Sequence, residues 1–150
     1  MKLRALVVED SGMMRKAVIQ SIQKTELAEW EFIEAGDGQD ALAKLHSKDV
    51  DIMFVDWNMP KMTGIDFVHK VRAEKKTAKT PIMMVTSEKA MGKVQEALDS
   101  AGANDYITKP FTHDELTRRL AKLIEKIETT SSEQPAPKSG GFFGKLLGGG

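Results

Sequence analysis

The chain has 150 residues, with 22 Lys plus Arg against 22 Asp plus Glu, so its formal charge is zero and it has no basic excess to neutralise a nucleic-acid backbone. Its 41% hydrophobic content supplies one compact core and leaves no room for a second folded output domain. The lack of cysteine excludes disulfide frameworks and thiolate metal or redox sites, and the apolar run that ends at Val8 is too short for a signal peptide or membrane span, so a cytoplasmic location is expected.

Ala5 to Val8 reads as a first strand buried on both faces. Helical spacing follows at Met14, Val18 and Ile22, from a start near Gly12 that Asp10 or Ser11 can cap. Glu31 to Ala35 is a weaker strand candidate closed by Gly36-Asp37-Gly38, and Leu42 with Leu45 marks a second helix. Ile52 to Val55 predicts the third strand, and Phe67, Val68 and Val71 the helix after Gly64. Ile82 to Val85 predicts the fourth strand, followed by a helix through Val94 and Leu98 and a break at Gly102. Tyr106 to Thr108 is the second weaker strand candidate, and Leu116, Leu120, Leu123 and Ile127 carry the last helix.

Five strand–helix alternations predict an α/β fold, a doubly wound five-stranded parallel sheet with helices on both faces. This domain spans 1–128. From Thr129 the composition turns to Ser, Pro and Gly, so 129–150 is expected to be a flexible tail. It ends in Phe142-Phe143-Gly144-Lys145-Leu146-Leu147, a short apolar motif that is either a plain terminus or a weak contact for a partner groove or a membrane surface.

In open parallel sheets the working crevice lies beyond the carboxyl ends of the strands. The residues there are Glu9-Asp10, Asp56, Thr86 and Lys109. Three crowded carboxylates repel one another unless a proton or a cation joins them, and hard oxygen ligands of this kind suit Mg²⁺. Asp56 is then a nucleophile toward a phosphoryl donor, with the Lys109 ammonium balancing charge and the Thr86 hydroxyl donating to a phosphoryl oxygen. Each residue also has a plain explanation: a helix cap at Asp10 or Ser11, a turn at Asp56 before Met59-Pro60, another cap at Thr86 or Ser87, and a solvated Lys109. Those explanations do not account for all the candidates falling at strand ends.

Val7-Val8-Glu9-Asp10-Ser11, Asp56-Trp57-Asn58-Met59-Pro60, Val85-Thr86-Ser87 and Thr108-Lys109-Pro110-Phe111 together resemble the response-regulator receiver family, and most of all its CheY-type chemotaxis regulators, over Lys2 to about Glu128. The resemblance implies the flavodoxin-like, CheY-like strand order 2-1-3-4-5. It implies Asp56 as phosphoacceptor, and Glu9, Asp10, Asp56 and the Asn58 backbone carbonyl as Mg²⁺ ligands. It further implies Thr86 and Tyr106 as switch residues, Lys109 as the phosphate-contacting lysine, Asn58 and Glu88 as residues that tune hydrolysis, and a cis Lys109–Pro110 bond. Glu9 departs from the Asp found in many receivers, so altered metal affinity is expected.

The implied function is a stand-alone response regulator in a two-component phosphorelay, in chemotaxis or motility. It takes a phosphoryl group from a histidine kinase and acts on a target such as a motor switch through the face of the fourth helix, fifth strand and fifth helix. A phosphatase is a further candidate partner, and nucleic acid is not one. Such a protein is a phosphoacceptor that assists its own phosphorylation and slow dephosphorylation, not an enzyme in the usual sense. The alternatives are a phosphate sink or relay intermediate and a Mg²⁺-dependent aspartyl-phosphate phosphatase. The phosphatase wants an acid two residues past its nucleophile, where this chain has Asn58. A flavodoxin-like cofactor binder is disfavoured because Glu9-Asp10 would repel a flavin phosphate.

Overall fold

The computed structural model describes residues 1–87 and 91–133. Five strands run β1 (Lys2–Val8), β2 (Glu29–Ala35), β3 (Ile52–Val55), β4 (Ile82–Thr86) and β5 (Asp105–Thr108). They alternate with α1 (Gly12–Lys24), α2 (Gly38–Ser47), α3 (Gly64–Ala73), α4 (Met91–Asp99) and α5 (His113–Glu133), and a 3-10 turn at Lys75–Thr77 follows α3. All strand pairs are parallel, in the order β2-β1-β3-β4-β5. The expected fold class and strand order are those observed.

Alternation along the strands divides the core in two, because successive side chains leave opposite faces of the sheet. Leu6, Val8, Met53, Val55, Ile82 and Met84 join Leu45, Phe67, Val68, Val71 and Ala97 on the α2, α3 and α4 side. Ala5, Val7, Ile52, Phe54, Met83 and Val85 meet Val18, Ile22, Leu116 and Leu120 of α1 and α5 on the other. Central strands buried on both faces are continuous apolar runs for this reason.

Helix starts are fixed by side-chain caps. Ser11, Asp37 and Thr63 accept from the backbone N–H groups of Met14, Asp40 and Asp66, which satisfies donors that a helix leaves open at its first turn. Ser11, not Asp10, is the cap of α1, so Asp10 is left for other work. One residue of the predicted apolar stripe departs: Met14, in the first turn of α1, is 39% exposed, while Val18 and Ile22 are buried.

Helix α5 runs through the composition change at Thr129 to Glu133, five residues past the expected domain end at Glu128. Glu88 and the segment 134–150, with its apolar motif, lie outside the described residues. Among the described residues no helix is long and apolar enough to cross a membrane.

Candidate functional site

Backbone hydrogen bonds carry the sheet pattern one residue past the strands and so fix where the polar side chains start. The Glu9 N–H donates to Ala35 O (3.1 Å), the Asp56 N–H to Val8 O (3.0 Å) and the Lys109 N–H to Thr86 O (2.9 Å). Four segments separated by up to 100 residues therefore end side by side. The Lys109–Pro110 peptide bond is cis, as expected.

Carboxylate oxygens of Glu9, Asp10 and Asp56 lie within 4.8 Å of one another. Glu9 and Asp56 are buried, at 5% and 8% exposure, and Asp10 is exposed. Burial is the largest influence on Asp56, the Glu9 charge is the next, and Lys109 only partly offsets them, so its carboxyl is pushed up to about 6. Lys109 Nζ donates to Glu9 Oε1 at 3.2 Å and stands 3.9 Å from Asp56 Oδ1. The second Glu9 oxygen accepts from the Ser11 N–H at 3.2 Å. Three carboxylates against one ammonium leave about two negative charges, a donor set that fits one hard divalent cation such as Mg²⁺. Asn58 is exposed on the loop two residues past Asp56.

Thr86 ends β4 with 1% exposure. It neighbours Thr108 in the parallel register, and Met84 neighbours Tyr106, so Thr86 and Tyr106 share a sheet face one diagonal step apart. Tyr106 is half-buried, and the Arg119 guanidinium of α5 lies 5.2 Å from its ring centroid. Arg119 Nη1 also donates to Asp105 Oδ1 at 2.8 Å. The structure thus brings together Glu9, Asp10, Asp56, Thr86 and Lys109, places Tyr106 beside them on the sheet, and says nothing of Glu88.

Three supporting residues were not singled out by the sequence. Arg15 Nη1 donates to the Glu9 carbonyl at 2.7 Å while its Nε donates to Glu34 at 2.8 Å, which fixes the turn after β1; that bond holds the Glu34 carboxyl below the usual range. Gly64, read only as a break between elements, donates its N–H to Trp57 O at 2.9 Å, and a Cβ there would stand 2.4 Å from Asp56 O. Arg119 is the third. The only signals for them are an arginine one turn into α1 and a glycine directly after a capping threonine.

The family model for the response regulator receiver domain matches residues 5–121. The chain is similar to the chemotaxis protein CheY of Pseudomonas aeruginosa, 38% identical over 83% of this chain and 98% of that protein. It is similar to a chemotaxis protein CheY homolog of Campylobacter jejuni, 42% identical over 81% and 92%. Among solved structures, chemotaxis response regulator CheY4 of Vibrio cholerae superposes with a TM-score of 0.72 at 33% identity, over 82% of this chain and 99% of that one. The receiver domain of a sensor histidine kinase from Pseudomonas aeruginosa, solved with a magnesium ion coordinated in its active site cleft, gives a TM-score of 0.72 at 25% identity, over 83% and 99%.

Proposed function

The chain belongs to the response regulator receiver domain family, and from that premise we propose that it is a stand-alone cytoplasmic switch of chemotaxis or motility, phosphorylated on Asp56 by a histidine kinase. One observation carries the reading: a buried aspartate whose carboxylate meets two other carboxylates within 4.8 Å and one lysine at 3.9 Å, at the carboxyl edge of a parallel sheet.

Glu9, Asp10, Asp56 and the Asn58 backbone carbonyl would hold Mg²⁺, which when bound supplies positive charge to the phosphoryl oxygens. An Asp56 carboxylate oxygen attacks phosphorus, the phosphorus–nitrogen bond to the donor histidine breaks, and the electron pair stays on the departing imidazole nitrogen. The product is an acyl phosphate on Asp56. Lys109 moves from Glu9 toward the new phosphoryl oxygens, and the Thr86 hydroxyl turns to donate to one of them.

Withdrawal of Thr86 opens room on the face it shares with Tyr106, whose ring rotates inward and alters the surface of α4, β5 and α5 where the target binds. A coupling of about 1 to 3 kcal/mol, roughly 5- to 150-fold in partner affinity, is enough for a signal without refolding. Asn58 and Glu88 set the approach of the hydrolysing water, and a phosphatase is a further expected partner. The test is intact mass after incubation with acetyl phosphate and Mg²⁺. One added phosphoryl group in the native chain, absent from Asp56→Asn and absent without divalent cation, is the expected result; a phosphoryl group retained by Asp56→Asn overturns the assignment.

A further inference from the structure

Positive charge in this neutral chain is unevenly placed. At the end of the sheet opposite Asp56, a groove of about 1040 Å³ crosses the approaches to β3, β4 and β5 and runs along the C-terminal half of α5. Lys75, Lys76, Lys79, Lys122 and Lys126 line it against only two carboxylates, Asp51 and Glu125, a local excess of three positive charges. The four residues of β3 separate this groove from the acidic cluster by about 13 Å along the strand.

Capping of helix ends explains only one of these lysines. Lys76 Nζ donates to Leu45 O at the end of α2 (2.6 Å) and pairs with Asp49 (3.3 Å). Among the described residues none forms an ion pair with Lys75, Lys79, Lys122 or Lys126. Lys122 and Lys126 also lie one turn apart on α5, a like-charge arrangement that disfavours the helix and is relieved by an outside anion.

We propose that this groove is a second docking surface, which takes an acidic segment of a partner protein that carries apolar residues between its carboxylates. Half-buried Val50, Pro81 and Ile127 give the groove apolar ground between the lysines. With Lys76 already paired to Asp49, the groove has little free positive charge, and Asp51 and Glu125 repel a phosphate backbone, whose binding rests on neutralising many phosphates with Lys and Arg. The same two carboxylates among the lysines weaken attraction to a uniformly anionic lipid surface. The groove shares α5 with the face proposed above to bind the target, but it lies at the end of the sheet opposite Asp56 and contains neither Thr86 nor Tyr106, so occupation is expected in both signalling states and serves to hold the protein near a partner.

The test uses the full chain and a fluorescein-labelled peptide of Glu-Glu-Leu repeats, with a Gln-Gln-Leu peptide as the neutral control, followed by fluorescence polarisation and by amide NMR shifts. Binding of the acidic peptide alone is expected, with shifts at Lys79, Asn104 and Lys126. Affinity should fall at least tenfold in Lys122→Glu/Lys126→Glu and in Lys75→Ala/Lys79→Ala, and should be unchanged in Asp56→Asn and in Lys24→Glu, which reverses a charge on α1 outside the groove. Circular dichroism checks that each variant is folded. Equal binding by the neutral peptide, by polyuridine or by phosphatidylglycerol vesicles, or affinity that survives both groove variants, overturns the proposal.

Discussion

Lys109 is bonded to Glu9 at 3.2 Å and is farther, at 3.9 Å, from Asp56. The ammonium is therefore held on the longer of the buried acids, within one short movement of the carboxylate proposed to receive the phosphoryl group. Glu9 does more than extend the acidic pair: it holds the cation that the product needs.

Replacing Lys109 by Ala removes the positive charge that opposes burial at Asp56, so the Asp56 carboxyl is expected to rise above its present value of about 6. At pH 8 loss of a nearby positive charge should tighten Mg²⁺ binding by roughly three- to tenfold. Phosphorylation should still occur but no longer reach the switch. A Mg²⁺ titration followed through Trp57, which is buried next to Asp56, reads the first effect. Weaker binding in the variant would contradict the charge argument.

The raised Asp56 carboxyl also fixes the direction of a stability effect. Its folded value is about 6 against an ordinary 3.8, so between about pH 4 and pH 6 the folded state binds the extra proton and ionisation costs stability as pH rises. The penalty is absent below about pH 4 and complete above about pH 6, with an upper bound of about 3 kcal/mol. Asp56→Asn should therefore unfold at a higher urea concentration than the native chain at pH 7 without Mg²⁺, with the gap closing toward pH 4 and shrinking in saturating Mg²⁺. A gap that is constant with pH would show that ionisation is not its cause.

Gly64 is constrained by space. A Cβ there would meet Asp56 O at 2.4 Å, Met84 Cε at 3.0 Å and Trp57 Cα at 3.1 Å. The methionine can yield, but the two backbone atoms belong to the loop that aims Asp56. Gly64→Ala is expected to cost about 1–3 kcal/mol by chemical denaturation, despite the better helix propensity of alanine. The rate of phosphorylation by acetyl phosphate should fall with it. Gly92, where a Cβ would meet nothing within 4 Å, is the control and should tolerate alanine.

How far the sequence was legible follows from burial. Ile52–Val55 is apolar at every position because both faces of β3 are covered, so its limits could be read directly. β2 is an edge strand with exposed Glu29 and Glu31, and β5 is only half-buried, so both were read shorter than they are; β1, read as Ala5 to Val8, starts three residues earlier at Lys2, where exposed Lys2 and half-buried Arg4 interrupt the apolar run. The strand-end rule located Glu9, Asp10, Asp56, Thr86 and Lys109 because parallel topology alone brings them together. It could not show that Lys109 rests on Glu9, that Arg15 holds the Glu9 carbonyl or that lysines from Lys75 to Lys126 gather in one groove, since these depend on side-chain paths from segments far apart in the chain.

Arg119 supplies the last prediction, because it restrains the residue proposed to move. Its guanidinium lies over the Tyr106 ring and is anchored to Asp105 at 2.8 Å, so inward rotation of the ring must leave a cation–π contact of about 0.5–1 kcal/mol. Arg119→Ala should shift the ring population inward by roughly two- to fivefold before any phosphorylation, at an unchanged rate of phosphoryl transfer to Asp56. Tyr106 is the one tyrosine in the chain, so meta-fluorotyrosine labelling gives a single fluorine resonance. In the variant that resonance should lie closer to its position in the phosphorylated native protein. A resonance that does not move, or that moves while phosphoryl transfer slows in step, would mean that Arg119 does not restrain the ring independently of the acceptor site.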